Sequence, residues 1–404
     1  MHRREKNQGT TEGSRIYVIL VEELMRILQV VSSWKGGTVR VAFDVARVLS
    51  RRGHKVTLCT TNLRSENRDL NEGGIGRVLD FYSLCPMVTK KMKVYITPQL
   101  FSLARKIRSF DIVHLHGYRT FQNVVMYYYA KKYGIPYVLQ ACGSLPRMMA
   151  MRRLKWIYDM FFGYRLLRDA SKVIALSQGE AEQYRSMGVQ EDKIEAIPNG
   201  INLLEYSKLP PKGSFKKKFS IDNNEKIILF LGRIHRIKGV DILVKAFASI
   251  ERKLENVKLV IVGPDDGHLH EVRTLAERLR IGDKVAFVGP LFGVNKLEVY
   301  VDADFLVVPS LYEIFGIVIL EAYACGKPVI ASSVMGPKEL VLDGETGILV
   351  NPREINELTD AIELLLYDES RTKNMGMKAK QFVAENFDIE KVVNKIEKLY
   401  KETL

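Results

Sequence analysis

Short apolar runs alternate with helix-like periods along most of this 404-residue chain. The run Arg26–Val31 is followed by a loop that contains glycines, and Val41, Val45 and Val48 then recur at helical spacing before the next run, Lys55–Thr60. Runs of this kind are typical of strands buried on both faces of a parallel sheet. The alternation therefore predicts a doubly wound α/β domain.

The same unit recurs in both halves of the chain. Further strands are predicted at Asp111–Leu115, Tyr137–Gln140, Lys172–Ala175, Lys226–Leu231, Lys258–Val262, Val285–Val288, Phe305–Val308 and Val329–Ala331. Turn signals around Ile197–Gly200 and Leu209–Gly213 interrupt the pattern between the halves. We predict two Rossmann-like domains, 25–205 and 206–386, which face each other across a cleft at the carboxyl ends of their strands, where such sheets bind ligands.

The two ends of the chain follow different patterns. Residues 387–404 form an amphipathic pattern that predicts a helix. Residues 1–24 are polar and show no core pattern, so we expect a disordered or non-native extension, with natural translation starting at Met25.

The composition, with 47% apolar and 27% charged residues, is that of a soluble globular protein. The four cysteines lie far apart and without metal-ligand spacing: Cys59, Cys85, Cys142 and Cys325. Their spacing favours a reducing compartment over a disulfide framework or a zinc site. No apolar run approaches the roughly 18 residues of a membrane span, and Ile16–Val21 is too short for a signal peptide. We therefore expect a cytoplasmic protein.

The net charge of +14 is concentrated in residues 90–172, which hold sixteen Lys/Arg and three Asp. Aromatic residues lie among these cations: Tyr127, Tyr128, Tyr129, Trp156, Tyr158, Phe161 and Phe162. Such a block suits an anionic membrane surface or nucleic acid, or is a solvated face over ordinary core aromatics. We expect 90–172 to dock peripherally on the inner face of an anionic membrane, with nucleic acid the less favoured partner.

Carboxylates and cations follow two predicted strands of the second domain. Glu313 comes after the strand that begins at Phe305, and Glu321 lies in a helix that Gly316 opens, whose N-terminus is a ready anion site. Arg233 and Lys238 follow another strand and provide phosphate-binding cations. Carboxylates suit neutral hydroxyls because each oxygen accepts two hydrogen bonds. The pattern predicts a site for a sugar attached to a nucleoside diphosphate.

These motifs resemble glycosyltransferase family 4, retaining enzymes of the two-Rossmann-domain (GT-B) architecture. The resembling segments are Gly232-Arg233, Lys238-Gly239, Glu313–Gly316, Glu321–Val329, Asp343–Gly347, Gly36-Gly37, Val113–Gly117 and Ile197–Gly200. The resemblance implies a hexosyl transfer from a nucleoside diphosphate sugar to a glycan or lipid-linked acceptor, without a metal or other cofactor. It also implies that the C-terminal helix crosses back onto the first domain.

The resemblance assigns roles to single residues. It implies that Glu313 contacts the donor sugar, Glu321 the ribose, and Arg233 and Lys238 the diphosphate. Backbone amides at Phe315, Gly316 and Ile317 and the close approach of Gly36-Gly37 would complete the donor site. His116, at the end of a predicted strand, is our candidate for a further ligand contact near the cleft, while His114 is expected in the core.

One position departs from the family pattern. Cys142 stands where the family commonly has a histidine that contacts the transferring sugar, so we expect Cys142 at the donor site with a weaker polar contact.

Other interpretations remain open. A nucleotide-sugar epimerase or phosphorylase on the same architecture would keep the phosphate-binding cations, and a non-catalytic protein that binds membrane or nucleic acid would explain the basic block alone. Asp302-Ala303-Asp304 imitates a metal-binding Asp-x-Asp motif, but it adjoins a buried strand and we expect it to be structural. No Gly-x-Gly-x-x-Gly follows a strand, which disfavours a nicotinamide enzyme.

Overall fold

The computed structural model describes residues 24–31, 37–61, 74–83, 96–147, 151–251 and 256–404. The strands of these residues are β1 (Arg26–Val31), β2 (Lys55–Thr61), β3 (Arg77–Phe81), β4 (Ile112–His116), β5 (Tyr137–Gln140), β6 (Lys172–Ala175), β7 (Ile194–Ala196), β8 (Lys226–Leu231), β9 (Val257–Val262), β10 (Val285–Gly289), β11 (Phe305–Val308), β12 (Val329–Ser332) and β13 (Gly347–Val350). They form one sheet in the order β3-β2-β1-β4-β5-β6-β7 and another in the order β10-β9-β8-β11-β12-β13.

Helices connect these strands and cover the sheets. They are α1 (Gly37–Arg51), α2 (Leu100–Arg105), α3 (Phe121–Tyr133), α4 (Arg152–Tyr158), α5 (Tyr164–Arg168), α6 (Gln178–Ser186), α7 (Ser214–Lys218), α8 (Val240–Glu251), α9 (Leu269–Arg278), α10 (Gly293–Asp302), α11 (Ile317–Ala324), α12 (Met335–Leu340), α13 (Ile355–Tyr367), α14 (Glu369–Asn386) and α15 (Ile389–Thr403). A π-helical turn, Asp159–Gly163, joins α4 to α5. None of the described helices is long and apolar enough to cross a membrane.

Both sheets are parallel, and the order of strands reverses between β1 and β4 and between β8 and β11. Parallel neighbours require crossover connections, which the helices provide. The predicted α/β class with two doubly wound units is confirmed. The carboxyl ends of strands at such reversal points are where these sheets bind ligands. The loops after β1, β4, β8 and β11 are therefore the ones that matter for the site.

Three strands were not predicted from the sequence: β3, β7 and β13. Each lies at the edge of its sheet, and at least half of its residues are only half-buried. An edge strand does not need the continuous apolar run that identifies a central strand. The predicted division between residues 205 and 206 falls in a turn, Leu203–Tyr206, that follows β7.

The last helix, α15, crosses back from the second domain and packs on α1 of the first, as predicted. Its buried face shares a core cluster with β1 and α1, to which α15 contributes Ile389, Val392, Val393, Ile396, Leu399 and Tyr400. Arg52 at the end of α1 donates to Glu390 at 2.8 Å and to Glu397 at 2.9 Å. Residues 1–23 lie outside the described residues, as does Gly36.

Candidate active site

The loop after β11 carries the first carboxylate and leads into a helix whose N-terminus is open. Gly316 caps α11 with φ +90°, a left-handed conformation that a residue with a Cβ adopts only under strain. The amides of Ile317 and Val318 have no carbonyl four residues earlier within the helix to bind, whereas the Ile319 amide donates to the Gly316 carbonyl oxygen at 2.9 Å. They give this end of the cleft a partial positive charge and spare donors, as an anion site requires.

Glu313 and Lys238 meet directly in this loop region. The Lys238 ammonium donates to Glu313 Oε2, and each side chain is 17% exposed. Lys238 ends a short turn after β8, and Gly239 follows it with φ +66°. A Cβ at Gly239 would collide with the carbonyl oxygen of Pro309, at the end of β11. The glycine therefore lets the Lys238 turn lie against the Glu313 loop, and the two predicted site residues form one charged pair.

Arg233 lies further out. Its guanidinium pairs with Asp266, and its side chain remains 51% exposed. The predicted phosphate-binding arginine is thus near the end of β8 but at the rim of the cleft, where its long side chain has room to move.

Glu321, on α11, is held by two groups that sequence reasoning missed. Lys296 Nζ lies 2.6 Å from Glu321 Oε1, and the Tyr300 hydroxyl donates to Oε2 at 2.9 Å. Both partners lie on α10, four residues apart and so on one helix face. Burial first, and then the negative charge of Glu321, raise the pKa of Tyr300. In the sequence this pair does not differ from any other lysine and tyrosine four residues apart on an amphipathic helix.

The first domain faces this loop through two glycines. An ideal Cβ at Gly37, the first residue of α1, would lie 3.5 Å from Ile317, and one at Gly143 would lie 3.1 Å from Ile314. The first residue of α1 and the loop after β5 therefore lie against the segment 314–317. Gly37 thus lies against the residue that opens α11, and its approach to a diphosphate stays a prediction.

Cys142 lies beside Gly143 in the loop after β5 and has φ +53°. Its Sγ is 3.5 Å from the Gln140 carbonyl oxygen. Burial, and to a lesser degree the charge of Glu180, raise the pKa of this thiol to about 12. The side chain is therefore uncharged at neutral pH, unlike a histidine that could be protonated there.

Glu180, on α6, is a buried carboxylate beneath this loop, and no sequence motif pointed to it as a site residue. Its Oε1 accepts from the Gly143 amide at 2.6 Å and its Oε2 from the Leu176 amide at 2.9 Å. Burial raises its pKa to about 7, although the two amides act in the opposite direction. The available signal was Ser177 three residues earlier, a capping-box spacing. Ser177 does accept from the Glu180 amide at 3.2 Å, but the Glu180 carboxylate also binds the Gly143 amide in the loop after β5.

His116 is not where we expected it. It ends the central strand β4, is 1% exposed, and stacks on His114 with ring centroids 4.0 Å apart. Its Nε2 lies 3.3 Å from Gln29 Oε1. Burial lowers its pKa to about 3, so the ring is neutral. The interior packing of β4 thus draws His116 into the core beneath the cleft and gives it no open face toward a ligand.

The Asp-x-Asp imitation has structural partners. Asp302 accepts from the amides of Phe215 at 2.8 Å and Lys216 at 3.0 Å, in the first turn of α7. Asp304 accepts from the Ile227 amide at 2.7 Å. Both carboxylates are occupied by backbone donors, in agreement with the expected structural role.

Two doubly wound domains with Rossmann-like parallel sheets are the architecture of the GT-B glycosyltransferases. The family profile described as glycosyl transferases group 1 matches residues 211–382, and that described as glycosyltransferase family 4 matches residues 35–204. The chain belongs to these group 1/family 4 glycosyltransferases.

Individual relatives agree with this assignment. The chain is 28% identical to an uncharacterized glycosyltransferase of Methanocaldococcus jannaschii over 91% of this chain and 94% of that protein. It is 33% identical to a D-inositol 3-phosphate glycosyltransferase of Nocardia farcinica, but over only 53% of this chain and 49% of that protein. The Anabaena protein HepE, solved with UDP and glucose, covers 94% of this chain and all of its own at 22% identity, with a TM-score of 0.79. That likeness shows the common fold.

Proposed function

We propose that this glycosyltransferase moves a hexosyl group from a nucleoside diphosphate sugar to a carbohydrate or lipid-linked acceptor, with retention at the anomeric carbon. The observation that carries the proposal is the arrangement around the N-terminus of α11. The Glu313–Lys238 pair lies before it, Glu321 lies within it, and Gly37 and Gly143 face it from the other domain. The UDP and glucose bound by HepE support a donor of this class.

Each part of the donor has a matching group. The diphosphate sits on the first amides of α11, with Lys238 and Arg233 as counter-charges. Each cation contributes up to ~4 kcal/mol at 4 Å from a phosphate charge, at an effective dielectric near 20. Glu313 accepts from the sugar hydroxyls. Glu321 accepts from the ribose, since each of its oxygens has one protein donor and room for a second.

The chemistry we propose is a same-face displacement. The departing phosphate takes the proton of the acceptor hydroxyl while that oxygen forms the new bond to the anomeric carbon. Glu313 is engaged by Lys238, which suits a carboxylate that orients the sugar rather than one that attacks it. Stabilisation of the leaving diphosphate by fixed charges and amides supplies much of the rate. We expect transfer to continue in excess chelator, because these cations replace a metal at the diphosphate.

The test is a double-mutant cycle on the charged pair. Glu313→Ala leaves sugar hydroxyls unpaired, and a hydrogen bond to a charged group is worth ~1.5–3 kcal/mol, so turnover should fall at least about tenfold. Lys238→Ala should also lower turnover, and the double variant should lose less than the two single losses combined, because the groups contact each other. Turnover is measured with the UDP-, GDP- or ADP-sugar that most raises the melting temperature.

The control is Glu385→Ala, which removes an exposed carboxylate on α14. It should transfer sugar at the wild-type rate. If Glu313→Ala and a combined Arg233→Ala/Lys238→Ala variant also matched the wild type, the proposed donor site would be wrong.

Product analysis separates this function from its rivals. An epimerase or phosphorylase on this fold would release a free sugar, a sugar phosphate or a nucleotide instead of a glycoside. A panel of acceptors should include small phosphorylated polyols, in view of the name of the Nocardia relative.

A further inference from the structure

The segment 151–168 exposes an unusual concentration of large apolar side chains. The π-helical turn and α5 bury Asp159, Gly163, Leu166 and Leu167 against the domain, whereas α4 has no buried residue. Large apolar side chains along the segment are each between 40% and 56% exposed: Met151, Leu154, Trp156, Ile157, Met160, Phe161, Phe162 and Tyr164. Single exposed apolar residues are ordinary on protein surfaces, but a contiguous group of this size indicates an interaction surface.

The charges of this segment indicate which class of partner it binds. It also carries five cations: Arg152, Arg153, Lys155, Arg165 and Arg168. Its single acidic residue, Asp159, is fully buried and therefore does not offset them at the surface. Apolar and aromatic side chains interleaved with cations suit the boundary between lipid headgroups and acyl chains. We propose that 151–168 is the surface that docks this enzyme on an anionic phospholipid bilayer.

Two arginines hold the docking surface rigidly to the domain. Arg119 Nη2 lies 2.7 Å and Arg147 Nε 2.8 Å from Asp159 Oδ2. The π-helical turn brings Gly163 against Tyr118, where a Cβ would collide with the tyrosine hydroxyl. Because these contacts hold the π-helical turn before binding, insertion of its exposed side chains need not order that turn.

Arg119 connects the docking surface to the cleft. Arg119 also donates to the carbonyl oxygens of Ser144 and, at 2.7 Å, Leu145. These residues directly follow Gly143, whose Cα lies against Ile314 of the Glu313 loop. A docked enzyme would thus hold its cleft in a fixed relation to the bilayer, in reach of a lipid-linked acceptor. The presence of that acceptor rests on the proposed function.

The experiment uses the full chain and vesicles, without any sugar nucleotide. The chain has two tryptophans, so Trp34→Phe leaves Trp156 as the single reporter. We expect its emission to shift to the blue with phosphatidylglycerol-containing vesicles and much less with pure phosphatidylcholine. Co-sedimentation should weaken as salt is raised, since attraction to anionic headgroups is screened.

A matched pair of variants locates the surface. Trp156→Ser/Phe161→Ser should weaken co-sedimentation at least tenfold. Tyr367→Ser/Met377→Ser removes two apolar side chains that are 63% and 65% exposed in the second domain, and should bind like the wild type.

Three results would overturn the proposal. The first is undiminished vesicle binding by the Trp156→Ser/Phe161→Ser variant, and the second is absence of binding to either kind of vesicle. The third is self-association of the wild type that this variant loses and that vesicles do not change, which would assign the surface to contact with a second copy of the chain. Retention on single-stranded RNA with no binding to vesicles would assign it to nucleic acid. None of these results depends on sugar transfer, so failure here and failure of the Glu313 cycle are separate outcomes.

Discussion

At the scale of single residues, Glu321 of the proposed donor site is held by protein contacts before any ligand binds. Lys296 and Tyr300 each occupy one of its oxygens, which fixes the carboxylate plane relative to α11. A preformed acceptor loses little freedom when it binds the ribose. Under the proposed function, we expect the position of the nucleotide to depend on α10 as well as on the motif residues of α11.

Tyr300→Phe should therefore raise the KM for the donor by about tenfold and leave kcat nearly unchanged. A hydrogen bond to a charged group is worth ~1.5–3 kcal/mol, part of which Lys296 retains, and the ribose is remote from the reacting carbon. Tyr323→Phe is the matched control, since it is also buried but donates to or accepts from Thr346 at 2.9 Å instead. Equal KM values for the two variants would contradict the role of Tyr300.

Cys142 occupies the position where the family resemblance implies a histidine. It lies in the loop after β5 with a left-handed backbone, and burial raises the pKa of its thiol so that the thiol is neutral. A neutral thiol is a weak donor and a weak acceptor. Its contact with the transferred sugar stays a prediction, but the structure leaves this position with little polar capacity of its own.

At the scale of elements, the sequence predicted the central strands and the motif loops but not what supports them. Central strands are buried on both faces and read as apolar runs, whereas the edge strands β3, β7 and β13 do not. Glu313, Lys238 and Gly239 were found because strand ends and turn glycines are local signals. The contacts of Glu321 with Lys296 and of Glu180 with Gly143 join distant parts of the chain, so no spacing announces them. His116 was misplaced for the same reason, since packing between elements decides its burial.

Glu180 joins α6 to the loop after β5 and should make the free energy of unfolding depend on pH. Its pKa of about 7 lies above the ordinary 4.5, so between these values the folded protein binds more protons than the unfolded chain. Its contribution to stability is therefore present at low pH and is lost as the pH rises from 4.5 to 7. The difference is about 3 kcal/mol, at 1.36 kcal/mol per unit.

The measurement compares unfolding free energies of the wild type and Glu180→Gln across this pH range. Gln does not titrate, so the unfolding free energy of the wild type should fall relative to that of the variant as the pH rises from 4.5 to 7. Above pH 7 the two curves of unfolding free energy against pH should be parallel. Glu182→Gln, exposed on the same helix, should follow the wild type throughout. Parallel curves for the Glu180 variant from pH 4.5 to 7 would refute the assigned pKa.

At the scale of the whole molecule, α15 links the two domains. It follows the second domain in sequence but buries its apolar face in the core of the first, beside α1 and β1. The charged pairs of Arg52 with Glu390 and Glu397 flank that face. The first domain is therefore complete only when the end of the chain has folded onto it, and the relation between the two halves of the cleft depends on this helix.

Ile396→Ala tests this dependence. Ile396 is 3% exposed, and removal of such a side chain to Ala costs ~2–5 kcal/mol. Since the cavity lies in the first domain, amide exchange should accelerate in β1 and α1 well before it does in β8 and β11. Lys398→Ala, on the same helix with a side chain that is 78% exposed, should change neither stability nor exchange. Equal acceleration in both sheets would mean that the domains unfold as one unit, and unchanged exchange in β1 would mean that α15 does not complete the first core.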